Sequence, residues 1–137
     1  MIREIIKEDF LLCQKSADAS IEDKDVIQDM LDTMNAYPDI CVGMAANMIG
    51  VLKRIIIIKD NNKKVIMLNP VILKTSGRYF EAEENCLCHD KANKAKRFEK
   101  IKVQYQDQFG KLKMKTYTGL TAQIIQHEID HCNGILI

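Results

Sequence analysis

The 137-residue chain is 47% hydrophobic and carries 20 Lys and Arg against 19 Asp and Glu, a formal net charge of +1. That length can bury a core as one globular domain over 1–137, and the balanced charge excludes a general attraction to nucleic acid or acidic membrane. No apolar run approaches a membrane span and the start, MIREIIKEDF, is too charged for a secretory signal, so a cytoplasmic protein with reduced cysteines is expected.

In chain order, the first helix is expected from near Ser20, with Asp23 three residues on as a capping-box mimic. Val26, Ile27, Met30, Leu31 and Met34 recur at helical spacing, and Pro38 ends the element. Residues 54–59 (RIIIIK) form a buried strand by composition, and 65–68 a second one closed by Asn69-Pro70. The lysine-rich stretch 91–100 reads as a solvated loop leading into a strand. Ile101, Val103 and Tyr105 alternate with polar residues, as a half-buried strand requires. DQFGK then turns the chain into a further strand near 112–117. The closing helix covers about 120–132, with Asn133-Gly134 as its stop signal. Its Leu120, Ile124, Ile125 and Ile129 lie on more than one side, so the expected fold is α+β, with strands wrapped around one buried helix. There is no internal repeat, low-complexity tract or linker.

Chemistry concentrates in that last helix. His127, Glu128 and His131 spell H-E-x-x-H. Two histidines four apart share one helix face and can grip a single metal ion, with the glutamate placed to act on a metal-bound water. They share their stripe with Leu120 and Ile124, so the ion would face an apolar pocket. The blander reading is a helix with two satisfied histidines and an ordinary surface glutamate. The motif and its two of only three histidines argue against it.

A catalytic tetrahedral site needs three protein ligands and one open position. The six residues after His131 include no Asp, Glu or His, so the third ligand is expected upstream. The clustered candidates are Cys86, Cys88 and His89 in EENCLCHD. Two imidazoles and one thiolate suit Zn²⁺ or Fe²⁺ and leave a position for water. A closed structural zinc site is the alternative, using Cys86 or Cys88 with both histidines and Cys132. It would have no use for Glu128, and its C-x-C spacing is shorter than structural zinc sites use. Cys13 and Cys41 read as small buried hydrophobes.

Three segments together resemble the peptide deformylase family, which removes the formyl group from the initiator methionine of new bacterial chains. The family's G-φ-G-φ-A-A-x-Q, with φ apolar, reads CVGMAANM at 41–48; its E-G-C-L-S reads ENCLC at 84–88; its Q-H-E-x-D-H is intact as QHEIDH at 126–131. Order and approximate spacing agree, and LNP and KTSG add weaker similarity between them. The resemblance implies antiparallel sheets around a central helix, and one divalent ion per chain, Fe²⁺ or Zn²⁺, held by Cys86, His127 and His131. It makes Glu128 the general acid/base, acting on a water acidified by the ion. The oxyanion donors would be the Leu87 N–H and a side-chain amide at the position of Met48. The methionine of an N-formyl-methionyl peptide would enter a pocket lined by Val42, Leu87, Leu120 and Ile124, beside the small residues Gly43, Ala45 and Ala46. Transient association with the ribosome accompanies such a substrate.

The departures fall at the oxyanion and cleft positions. Met48 cannot donate a hydrogen bond, and the amide of Asn47 next to it is expected to point elsewhere. Asn85 stands where the family has glycine, crowding the cleft, and Cys88 where it has serine. Cys88 is then an inert small residue, a redox liability or an alternative ligand, and His89 an exposed loop residue. The leading expectation is a deformylase-like hydrolase weakened by the lost donor. The alternatives are a degenerate deformylase fold that binds metal or peptide without efficient catalysis, and an amidase on another formyl or acyl substrate.

Overall fold

Isoleucine at four successive positions, 55–58, marks the centre of the molecule. A strand reads as a continuous apolar run when both of its faces are covered. The computed structural model, which describes residues 1–137, shows this for β2 (Ile55–Asp60): Ile56 and Ile58 belong to one apolar core and Ile55 and Ile57 to another. The first core is shared with α3 (Gly119–Cys132), through Ile124, Ile125 and Ile129. The second is shared with α2 (Lys24–Asn35), through Ile27, Met30 and Met34.

The strands form one antiparallel sheet in chain order: β1 (Gly43–Ala45), β2, β3 (Lys63–Glu84), β4 (Asn93–Gln106) and β5 (Leu112–Thr118). The sheets expected around a central helix are thus a single sheet, and α3 packs against β1, β2, β4 and β5. A short helix, α1 (Asp9–Leu12), precedes α2; neither it nor β1 is expected from periodicity, because each is too short to show any.

Local chemistry accounts for the element ends. Ser20 and Asp23 form a reciprocal capping box: Ser20 Oγ accepts from the Glu22 N–H at 3.2 Å, and Asp23 Oδ2 from the Ser20 N–H at 2.8 Å. A 3₁₀ turn at Ile21–Asp23 follows and leads into α2, which stops at Asn35, before Pro38. Asn61 and Asn62 have φ of 50° and 68°, so β2 and β3 join through a tight turn in the left-handed region that matches strand twist.

The strand expected to close at Asn69-Pro70 instead continues to Glu84. The ladder pairs Leu68 with Gln106 and Val71 with Gln104, and the register shifts between them. Asn69 (φ 52°) and Pro70 sit in that irregularity, where a missing N–H removes no ladder bond. The Asn69 side chain secures the bend, accepting from the Ala19 N–H at 2.8 Å and donating to the Ala19 carbonyl at 2.9 Å and Gln106 at 3.0 Å. Three further expectations are corrected. Leu120 is 69% exposed because it lies in the exposed first turn of α3, where burial begins only at Ala122. Cys13 is exposed at the end of α1, its thiol on the Phe10 carbonyl. His89 is half-buried, because the turn after β3 folds it inward.

Candidate active site

Helical spacing places the imidazoles of His127 and His131 side by side, Nε2 to Nε2 at 3.2 Å. Cys86 reaches them from the turn after β3, which is closed by the His89 N–H donating to the Cys86 carbonyl at 3.1 Å. Its Sγ lies 3.3 Å from His131 Nε2, the nitrogen that faces His127. Around a tetrahedral zinc ion, two nitrogens sit about 3.3 Å apart and a nitrogen and a sulfur about 3.6 Å apart. The two edges that meet at His131 are therefore already close to those of a metal-centred tetrahedron.

A buried ion-pair network that sequence reasoning missed fixes one ligand. Glu84, the last residue of β3, accepts from His127 Nδ1 at 2.8 Å, which directs the other ring nitrogen toward Cys86 and His131. Arg97 of β4 grips the same carboxylate through Nε at 3.0 Å and Nη2 at 2.7 Å, and reaches Asp130 of α3 through Nη1 at 2.7 Å. Gln123 adds a bond to Glu84 at 2.9 Å. Burial alone would raise the Glu84 pKa, but the bonds from His127, Arg97 and Gln123 hold it down to about 2. Burial pulls His127 down, and its bonds to Cys86 and Glu84 outweigh this and raise it to about 10. The signal available in the sequence was Arg97 itself, at an inward position of an alternating strand where an arginine needs partners.

Glu128 is 4% exposed, and burial lifts its carboxyl to about 7. Its Oε1 has no hydrogen-bond partner. A Cβ on Gly43 would come within 2.8 Å of Glu128 Oε2 and of Ile124 Cγ2, so only glycine lets β1 approach α3 here. Cys86 is pushed up to about 12 by the hydrogen bond from Cys88 and by burial, whereas a divalent ion favours its thiolate.

Cys86, His127 and Glu128 open onto a cavity of about 220 Å³, lined also by Val42, Gly43, Met48, Asn85, Leu87, Leu120 and Ile124. Val42, at 46% exposed, and Leu120 stand at its mouth, while His131 is fully buried behind it. Ile40, Cys41, Glu83 and Gln123 line it too; Cys41 and Glu83 fall within the segments CVGMAANM and EENCLCHD, whereas Ile40 and Gln123 carry no sequence signal. The Leu87 N–H makes no hydrogen bond within the protein. Met48 is buried, its sulfur accepting from the Ala45 N–H at 3.5 Å. The Asn47 amide is committed to the His131 carbonyl at 2.9 Å. Cys88 is buried with its Sγ 3.2 Å from that of Cys86, and Cys132 joins neither cluster of candidate ligands.

Two imidazoles, one thiolate and an unpartnered buried carboxylate around a cavity fit a divalent ion, and with this fold they define a metal-dependent hydrolase. Comparison with known proteins narrows the class. The chain belongs to the polypeptide deformylase family, whose model matches residues 4–137. It is 49% identical to a peptide deformylase of Clostridium beijerinckii over 137 residues, the full length of both chains. A class I type b peptide deformylase from Acinetobacter baumannii, solved with Met-Ala-Ser bound, superposes with a TM-score of 0.90 at 29% identity, covering 99% of this chain and 97% of that one. A peptide deformylase from Legionella pneumophila superposes with a TM-score of 0.89 at 35% identity, covering 99% of this chain and 83% of that one.

Proposed function

We propose that this chain, as one domain over 1–137, hydrolyses the formyl group from the N-terminal methionine of nascent peptides. In this reading Cys86, His127 and His131 hold one Fe²⁺ or Zn²⁺ ion. The observation that carries it is the convergence of these three donors beside the unpartnered carboxylate of Glu128 at the wall of one cavity. The named relatives support the substrate, as does the Met-Ala-Ser peptide held by the structural neighbour.

A divalent ion in this donor set supplies the positive charge that acidifies water and polarises a carbonyl. Glu128 takes the proton from the attacking water and returns it to the departing amine. The unpaired Leu87 N–H offers a hydrogen bond to the developing oxyanion. Val42, Leu120 and Ile124 accept the methionine side chain, and Asn85 and Gly43 border its path. The Glu84–Arg97 pair holds His127 so that its ligating nitrogen keeps its direction. Substrate of this kind is met in the cytoplasm as chains leave the ribosome.

The test is formate release from a short formyl-Met peptide, using protein prepared without oxygen and loaded with Fe²⁺, Co²⁺ or Ni²⁺. Glu128→Ala is the blank. Turnover that disappears in the blank supports the assignment; one bound ion per chain with no formate released overturns it.

One observation favours a second reading, in which peptide and ion bind but turnover is slow. The Met48 sulfur can only accept, and the neighbouring Asn47 amide is occupied on α3. Losing one oxyanion donor costs about 10²–10³ in kcat. Met48→Gln is therefore expected to raise kcat by up to about 10² while changing KM little. An unchanged kcat in steady-state assays would show that this donor is not what limits the reaction.

Gly43→Ala probes the base from the opposite side. The new methyl group meets Glu128 and Ile124 at 2.8 Å, so one of them must move. A displacement of about 1 Å at a reacting group costs about 10² in rate, and kcat is expected to fall by that order with ion content unchanged. A fully active variant would mean that β1 can yield without disturbing Glu128.

A further inference from the structure

Cys88 has no part in the proposed reaction, yet its Sγ lies 3.2 Å from that of Cys86, and its S–H points at that sulfur. The two side chains leave the same turn, closed by the bond from the His89 N–H to the Cys86 carbonyl. Cys86 lines the cavity and is partly exposed, whereas Cys88 is 1% exposed. An oxidant entering the cavity therefore meets Cys86 first, with a second thiol waiting behind it. This is the arrangement of an attacked cysteine and a resolving cysteine.

We propose that Cys86 and Cys88 form a reversible disulfide when a hydroperoxide reaches the cavity, so that the same sulfur serves either as ligand or as a protected, oxidised group. The inference rests on the reading of Cys86 as a ligand. In the first step Cys86 Sγ attacks one peroxide oxygen; the O–O bond breaks, the leaving hydroxide takes up the Cys86 proton as water, and Cys86 carries a sulfenic acid. In the second, Cys88 Sγ attacks the Cys86 sulfur, the S–O bond breaks, and the oxygen departs as water with the Cys88 proton. Two thiols are oxidised and one peroxide is reduced to two waters. Closing 3.2 Å to a bond of about 2 Å requires rotation of two side chains on one turn. The oxidised Cys86 can no longer act as a thiolate ligand, and a dithiol reductant restores it. A single cysteine in the same place would continue to sulfinic and sulfonic acids, which dithiols do not reverse.

The experiment treats full-length Ni²⁺-loaded protein, and Cys88→Ser, with a few equivalents of hydrogen peroxide under argon. Intact mass, peptide mapping and released nickel are followed before and after dithiothreitol. Wild type is expected to lose two hydrogens, to carry a linkage mapped to residues 86 and 88, to release its nickel, and to recover both thiols with dithiothreitol. Cys88→Ser is expected to gain two or three oxygens at Cys86 irreversibly. The inference is overturned if wild type gains those oxygens as fast as the variant, or if the linkage maps to Cys41 or to Cys13 of a second copy. Protein that keeps all five thiols under excess peroxide overturns it as well. Formate release by the untreated protein is scored separately, so a failed deformylase assay and a failed disulfide are told apart.

Discussion

Glu128→Gln is expected to lower kcat for formyl-peptide hydrolysis by about 10²–10⁴-fold while one ion stays bound per chain. Glutamine keeps the size of the side chain, and so keeps the tight approach of Gly43 to α3. What it removes is the ability to take up a proton and give it back. The carboxyl is 4% exposed with one oxygen unpartnered, so its place in the fold is not explained by a structural hydrogen bond. A buried acid without partners is a burden on folding, and the variant is expected to melt at or above the wild-type temperature. Formate release, elemental analysis and a thermal melt together decide the matter. A variant that lost activity by unfolding would show a lower melting temperature, and one that stayed active would remove Glu128 from proton transfer.

Arg97→Leu should be the most damaging substitution outside the proposed ligands. The side chains of Arg97 and Glu84 are 5% and 6% exposed, so the arginine cannot be removed without leaving a carboxylate buried against His127. Breaking such a pair by deleting one partner costs about 3–5 kcal/mol. Asp130 is 23% exposed and can turn to water, so the burden falls on Glu84. Loss of the outer partner of a metal-ligating histidine typically lowers metal affinity about 10–100-fold. Urea denaturation and chelator competition measure the two effects. Glu84→Gln combined with Arg97→Leu is expected to recover part of the stability, since both members of the buried pair are then uncharged. A single variant within about 1 kcal/mol of wild type would mean that water reaches Glu84 and that the network does not hold His127.

Much of this architecture is legible in the residues themselves, and what is not has a physical reason. Periodicity reveals α2 because it buries one consistent stripe, α3 shows itself by apolar residues on more than one side, and the isoleucine run reveals β2 because both of its faces are covered. The length of β3 is hidden by Pro70, which reads as a stop. Only the bulge at Asn69 and the bonds from its side chain, reaching residues far away in the chain, let the strand pass. In the site, H-E-x-x-H is a local pattern and survives being read alone. The Glu84–Arg97–Asp130 network joins two strand positions and a helix position; Glu84 and Asp130 lie inside the motif segments and Arg97 at an inward strand position, but nothing in their spacing pairs them. His89 and Cys13 went the other way, one inward and one outward, because the fold of a turn and the end of a single-turn helix are not encoded in hydropathy.

The three donors stand on supports of unequal firmness. His127 and His131 belong to α3, which is packed by four strands and buried along most of its length; amides in such an element exchange with solvent only when the whole molecule opens. Cys86 stands on a turn between two strands, partly exposed. If these three residues hold an ion as proposed, Cys86 is the ligand freest to leave, and the histidine pair the one held in place. The departure of Cys86 would follow the opening of the turn after Glu84 rather than the unfolding rate of the protein.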